Sequence, residues 1–127
     1  MKTHSDPRHL KRIKRMQALF AWDFQKKPSS DIKEIVDNLS QIDQAISASA
    51  SERPIEQINK IDLSLLRLAV FELIIEKKAP IKVVIDEAVE LAKEYGSDSS
   101  PAFVNGALGK LVEQYKLTSE LANQKPY

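Results

Sequence analysis

The 127-residue chain fits one domain with a single core, and it is too short for a catalytic domain joined to a recognition domain. It has no cysteine, which excludes disulfides, thiolate metal sites and a cysteine nucleophile, and no apolar run reaches the roughly 18 residues of a membrane helix. The net charge of +1 conceals a basic end, because residues 1–27 hold eight Lys or Arg and only two acids. We therefore expect a cytoplasmic protein without membrane association, with one end suited to an anionic partner.

The first half of the chain predicts two long helices. Asp6 followed by Pro7 is a favourable N-cap and first helical residue, so a helix should cover residues 7–26. Apolar residues at helical spacing predict a second, continuous helix over residues 31–48. The small and polar stretch at residues 47–51 should form a loop.

The middle of the chain predicts the centre of the core. Pro54 should start a short buried turn. After an Asp62 cap, residues 62–77 are apolar in nearly every direction, which is the pattern of a helix in the middle of a bundle. The charged residues inside this helix, Arg67 and Glu72, are expected at the rim or in ion pairs.

Two further helices complete the pattern. One should cover residues 80–95 with Gly96 as a left-handed C-cap, and the last should start at Pro101 after a Ser100 cap. Residues 116–127 are expected to form a flexible tail. The predicted fold class is an all-α, compact helical bundle of about six to seven helices in a single domain.

Four cations of the first helix project in one direction. At about 100° per residue, an arc of roughly 100° contains Arg8, Lys11, Arg12 and Arg15. Such a row matches the charge spacing of a phosphate backbone, and binding through it would depend steeply on salt. A solvated surface is equally compatible with the charge, so both interpretations stay open at this point.

The last helix carries an aromatic side chain outside its apolar stripe. The stripe is complete without that side chain and consists of Val104, Ala107, Leu108, Leu111, Val112 and Tyr115. Phe103 lies on the side of Gly106 and Lys110, where a ring, a missing side chain and a cation are suited to stacking an RNA base. From the residues alone, packing of Phe103 under the loop at residues 96–100 is the favoured alternative.

The remaining polar residues indicate no catalytic or metal site. A carboxylate cluster is interpreted as the solvated face of an amphipathic helix, and it comprises Asp86, Glu87, Glu90 and Glu94. His4 and His9 lack the acidic or cysteine partners that a metal site needs, and the chain has no glycine-rich phosphate loop. We therefore predict a protein that is not an enzyme and uses no cofactor.

Several motifs, in the same order along the chain, resemble the NusB family of bacterial transcription antitermination factors. The run Gln17-Ala18-Leu19-Phe20-Ala21-Trp22 resembles the end of the family's R-x-x-x-Q-A-L-[YF]-x-W opening. Residues 53–56 and 62–73 are similar to W-P-L-E and D-x-x-L-L-R-x-A-x-Y-E-L. Residues 85–93 resemble I-N-E-A-x-E-L-A-K, and residues 103–106 match F-V-N-G.

The resemblance implies an all-helical fold in two small subdomains that binds RNA without covalent chemistry. Family members bind single-stranded boxA leader RNA, usually with a small-subunit ribosomal protein of the NusE type. That complex joins the elongating RNA polymerase and suppresses termination, notably in ribosomal RNA operons, and some members form homodimers. The residues carried over by motif are Arg8, Arg12, Phe20 and Phe103 on the RNA side, with Asp98 near the RNA and partner surfaces. Helical geometry adds Lys11, Arg15 and Lys110.

The chain departs from the family pattern in several places. Residues 23–31 are short where the family usually has most of another helix, Arg53 replaces the usual Trp, and Asp86 replaces the usual Asn. Two other functions therefore stay open. One is a protein-interaction module of the same fold without RNA binding, for which changing Phe103 would have no effect. The other is a free-standing relative of the N-terminal domain of ribosomal RNA cytosine methyltransferases.

Overall fold

A computed structural model describes residues 6–118, which form six α-helices. These are α1 (Pro7–Gln25), α2 (Lys33–Asp37), α3 (Leu39–Ser49), α4 (Lys60–Val70), α5 (Ile81–Tyr95) and α6 (Ser100–Gln114). A π-helical segment, Phe71–Glu76, continues α4, and short 3-10 turns at Ser30–Ile32 and Ile55–Gln57 precede α2 and α4. Residues 6–118 contain no strand, and the all-α bundle predicted from the sequence is confirmed.

The core is built around α4. Every residue of Asp62–Val70 is buried, as the pattern of apolar residues in all directions predicts. Because α4 contacts α1, α3, α5 and α6, it joins the first helix to the last two. The ion pairs predicted for Arg67 and Glu72 are also present, although both side chains lie inside the bundle and not at its rim.

Both ends of α1 follow from local sequence. The Asp6 carboxylate accepts a hydrogen bond from the Arg8 backbone N–H, and Pro7 occupies the first helical position. Lys26 ends the helix in the left-handed conformation, and its N–H donates to the Trp22 carbonyl. The helix predicted over residues 7–26 is therefore confirmed to within one residue.

The continuous helix predicted over residues 31–48 is wrong, because Asn38 interrupts it. The Asn38 side-chain amide donates to the Glu34 carbonyl at 2.8 Å, which is the acceptor that its own backbone N–H would use in an α-helix. The backbone N–H donates instead to the Ile35 carbonyl, and the chain starts again as α3. The loop predicted at residues 47–51 is also too early, because α3 runs to Ser49, whose hydroxyl is buried and donates to the Ala45 carbonyl.

Two predicted helix caps are wrong by a few residues. Asn59, not Asp62, caps α4, since its side-chain oxygen accepts from the backbone N–H groups of Ile61 and Asp62. The last helix begins at Ser100, one residue earlier than predicted, and the Ser100 hydroxyl accepts from the Ser97 N–H in the preceding turn.

Gly96 is not the left-handed C-cap predicted for α5, because its backbone is extended, with φ −94° and ψ −167°. A Cβ at this position would lie 2.6 Å from the Ser100 Cβ and 2.8 Å from the Ala92 carbonyl oxygen. Glycine is therefore needed for the close approach of α5 and α6 and not for backbone freedom.

The C-terminal end of α6 is closed by a residue of the predicted tail. Lys116 adopts a left-handed conformation, and the N–H of half-buried Leu117 donates to the Val112 carbonyl. Residues 119–127 lie outside the described part of the chain, so the flexible tail stays a prediction.

Candidate nucleic-acid interface

The row of cations on α1 faces a groove of about 690 Å³ between α1, the π-helical segment and the start of α5. The cations that line it are Arg8, Lys11, Arg12, Arg15 and Lys78. The carboxylates that line it are Asp6, Glu72, Glu76, Asp86 and Glu87. The five positive and five negative groups balance, so the position of each charge decides what the groove attracts.

Arg12 occupies the inner wall of the groove and is bound to the π-helical segment. Its Nε and Nη2 donate to the two carboxylate oxygens of Glu72 at 2.9 and 2.7 Å. Burial would lower the pKa of Arg12, but the hydrogen bond to Glu72 and the nearby carboxylates outweigh it and raise the pKa. Arg12 is therefore a charged side chain with a fixed protein partner.

His9 and Glu87 form a buried pair between α1 and α5, which corrects two predictions. His9 Nδ1 lies 2.9 Å from Glu87 Oε1, and Arg12 Nη1 lies 3.7 Å from the same oxygen. His9 does have an acidic partner, and Glu87 does not belong to a solvated face. The burial of Glu87 could have been predicted from helical spacing. Glu87 follows Val84 by three residues and precedes Leu91 by four, which places it on the buried side of α5.

The Arg15 side chain is mostly buried in the wall of the groove. Its Nη1 is 3.6 Å from Glu76 Oε2, and its guanidinium carbon is 5.6 Å from the centre of the Phe71 ring. The Arg15 Nε is buried and has no hydrogen-bond partner among the described residues. Part of its hydrogen-bonding capacity therefore remains unused.

The accessible cations lie at the outer edge of the groove. The Arg8 side chain is 84% exposed and forms an ion pair with Asp6 at 3.2 Å, and its hydrogen bonds hold the pKa of Asp6 below the usual value. Lys11 and Lys78 are exposed and form no ion pair with residues 6–118. Sequence reasoning missed Lys78 because it lies in the connection before α5, where no helical periodicity links it to α1.

Phe103 lies in a different part of the molecule. Its ring is half-buried against the core, and the Arg53 guanidinium carbon lies 4.2 Å from the ring centre. On the same helix, Lys110 Nζ is 3.5 Å from a carboxylate oxygen of Glu52. A Cβ added at Gly106 would meet no atom within 4 Å, so the space predicted beside the ring is open. No sequence pattern indicates the Arg53 contact, because no periodicity connects the two positions.

The other two predicted site residues occupy further positions. Phe20 is half-buried on α1, and its ring meets the ring of Phe24 edge-on, with centres 5.1 Å apart. Asp98 is exposed in the turn between α5 and α6. The structure thus brings together the α1 cations in the groove, but no ring contact or ion pair within residues 6–118 joins them to Phe103. Whether these residues contact RNA stays a prediction.

Within residues 6–118, no three His, Asp or Glu side chains are arranged to hold a metal ion. None of the helices in the same range combines the length and the apolar character needed to cross a membrane.

Comparison with known proteins finds relatives of this chain. The NusB family model matches residues 29–113. The transcription antitermination protein NusB of Chloroflexus aggregans is 49% identical over 88 residues, which cover 68% of this chain and 58% of that protein. The protein of the same name from Roseiflexus sp. is 46% identical over 82 residues, covering 63% and 58%. The aligned region thus spans 58% of each of these two relatives.

A solved structure extends the similarity to most of the fold. The T. maritima NusB structure superposes with a TM-score of 0.74 at 34% identity, and the match covers 90% of this chain and 94% of that one. The family model covers Phe103 and the walls of the groove formed by the π-helical segment and α5, whereas α1 lies before its first matched residue. The chain belongs to the NusB family.

Proposed function

We propose that the protein is an RNA-binding transcription antitermination factor. It would bind boxA-like single-stranded leader RNA together with a small-subunit ribosomal protein of the NusE type, and act on the elongating RNA polymerase complex in the cytoplasm without covalent chemistry. The observation that carries the proposal is a groove edged by accessible cations in a chain of this family. The relatives that bear the antitermination name support it.

The proposed RNA contacts divide into two groups by their state in the free protein. Arg8, Lys11 and Lys78 are exposed and would meet phosphates without losing a buried partner. Arg12 is paired with Glu72, and Arg15 is paired with Glu76. A phosphate must therefore bind the remaining N–H groups of these arginines or displace a carboxylate. The first group should therefore account for most of the salt-dependent affinity.

The remaining proposed contacts are with RNA bases and with the protein partner. Phe103 and Lys110 on α6 provide a ring and a cation at an open site, and Phe20 provides a second aromatic side chain on α1. Asp98 lies in the exposed turn that precedes α6, where it is accessible to a protein partner as well as to RNA.

The direct test is a titration of fluorescent boxA-like RNA, with a scrambled RNA as control, with and without the ribosomal protein at two salt concentrations. We expect sequence-selective binding that weakens as salt rises. Binding equal to that of the scrambled RNA, even with the partner present, would favour a protein-interaction module of the same fold.

Variants of α1 locate the contacts. The double variant Arg8→Ala/Lys11→Ala should weaken binding and reduce the salt slope by about 0.7 for each phosphate that the protein no longer neutralises. Lys14→Ala is the matched control, because Lys14 is an exposed cation of the same helix that does not line the groove. Equal effects of the double variant and the control would exclude the groove as the RNA-binding surface.

A further inference from the structure

Arg53 has an unusual environment among the arginines of the bundle. It precedes Pro54 in the connection between α3 and α4, and its guanidinium carbon lies 4.2 Å from the centre of the Phe103 ring on α6. Arg53 is half-buried, and so is Phe103. The ring therefore fixes the position of a flat, charged side chain at the protein surface.

No carboxylate in the described residues accounts for this position. The Arg53 side chain takes part in none of the hydrogen bonds or ion pairs of residues 6–118, whereas Arg12 and Arg67 each bind a carboxylate through two nitrogens. The neighbouring Glu52 lies near Lys110 instead, at 3.5 Å. The N–H groups of Arg53 are thus available to an outside acceptor.

The surroundings of the pair leave room for a ligand. Gly106 follows Phe103 by one helical turn, and a Cβ there would meet no atom within 4 Å. Lys110 follows one turn later and is exposed. The Arg53–Phe103 pair therefore borders an open surface that carries a second cation.

We propose that one unpaired RNA base stacks on the outer face of the Arg53 guanidinium, while the Phe103 ring supports its inner face. Single-stranded RNA is commonly recognised by stacking on arginine planes and aromatic rings. The N–H groups at the guanidinium edge are then placed to donate to the base or its phosphate. This inference rests on the proposed function, and it makes Phe103 a support for Arg53 and not the surface that touches the base.

The test compares the shape and the charge of residue 53 in the same RNA titration. Arg53→Ala and Phe103→Ala should each weaken boxA RNA binding by about fivefold or more, the lower limit for one stacked base. The double variant should be no weaker than either single variant, because both changes remove one stacked unit. Arg53→Trp, which is flat but neutral, should retain most of the affinity, and Arg53→Lys, which is charged but not flat, should lose it.

Controls separate this inference from the function on which it rests. Lys33→Ala removes an exposed cation elsewhere and should leave affinity unchanged, and thermal melting of each variant checks that it is folded. If wild type binds boxA RNA selectively but Arg53→Ala has no effect or binds more tightly, the stacking role is wrong and the function stands. Retention by Arg53→Lys with loss in Arg53→Trp would indicate a phosphate contact and would also overturn the stacking role.

An RNA series with single abasic sites gives an independent readout. One abasic position should weaken binding to wild type and have no effect on Arg53→Ala, because the missing base is the one that stacks. Equal sensitivity of both proteins at every position would contradict the proposal.

Discussion

Arg67 is a charged side chain in the middle of the bundle, with 6% of its side-chain surface exposed. Its Nε and Nη2 donate to Asp43 on α3 at 3.0 and 2.9 Å, and its Nη1 donates to Asp23 on α1 at 3.0 Å. Burial would lower its pKa, but the hydrogen bonds to Asp43 and Asp23 outweigh it and raise the pKa. One guanidinium therefore connects three helices.

Arg67→Ala should destabilise the protein by about 3 to 5 kcal/mol, because it leaves Asp43 without its partner and Asp23 with only its two lysine partners, Lys60 and Lys26. Urea denaturation followed by circular dichroism measures the loss. Lys33→Ala is the control, since it breaks an exposed pair with Asp37 and should cost less than about 1 kcal/mol. Similar midpoints for the two variants would show that the Arg67 pairs contribute little to stability.

The same cluster predicts how stability changes in acid. Burial raises the pKa of Asp23, but hydrogen bonds from Lys60 and Arg67 outweigh it and hold the pKa below its ordinary value of 3.8. The unfolded chain then binds the proton more readily, so the stabilisation is present above pH 3.8 and is lost as the pH falls below it.

We expect the free energy of unfolding to fall as the pH drops from about 4 through the lowered pKa of Asp23, with a shallower fall in Asp23→Asn. Denaturant unfolding at a series of pH values measures both slopes. Lys33→Ala removes an exposed cation outside this cluster, so its unfolding free energy should change with pH in parallel with that of wild type. Identical slopes for wild type and Asp23→Asn would contradict a lowered pKa for Asp23.

At the scale of elements, the α5–α6 corner depends on the absence of a side chain. Gly96→Ala would place a Cβ 2.5 Å from the Ser100 hydroxyl oxygen and 2.8 Å from the Ala92 carbonyl oxygen. Because the second contact is with backbone, the corner must shift, and we expect a loss of about 1 to 3 kcal/mol.

Gly109→Ala is the matched control within α6. A Cβ at this position meets no atom within 4 Å, and alanine in a helix interior is favoured over glycine by about 0.5 to 1 kcal/mol. Thermal melting should therefore show opposite shifts for the two substitutions. A destabilised Gly109→Ala or an unchanged Gly96→Ala would show that the packing at these positions differs from the structure.

At the scale of the whole molecule, α4 contacts four other helices, so these five helices share a single hydrophobic core. Trp22, the one tryptophan of the chain, lies in α1 with Arg67 of α4 at 5.8 Å from its ring centre. We expect unfolding followed by Trp22 fluorescence and by far-ultraviolet circular dichroism to coincide. An earlier fluorescence transition would show that α1 separates before the rest of the bundle unfolds.

The sequence predicted the features that depend on local pattern. Asp6 and Pro7 fix the start of α1, and the apolar residues of α4 in all directions place it in the core. The break at Asn38 was missed because its side-chain amide takes the Glu34 carbonyl that the helix backbone would otherwise use. The spacing of apolar residues gives no indication of such a hydrogen bond.

The candidate site was predicted only in part. Helical phase groups the α1 cations, but their partners Glu72, Glu76 and Glu87 come from segments that only the tertiary structure brings to α1. The charge balance of the groove could therefore not be predicted from the first helix alone. The contact between Arg53 and Phe103 is missing from the prediction for the same reason.

The depth of the Arg67 ion pairs has a practical consequence for purification. Dissolved salt weakens attraction between exposed charges, with a screening length of about 3 Å at 1 M, but it acts much less on buried pairs. If Arg8, Lys11 and Lys78 bind nucleic acid as proposed, molar salt should release it while the bundle stays folded. RNA carried over from cells can then be washed away without refolding the protein.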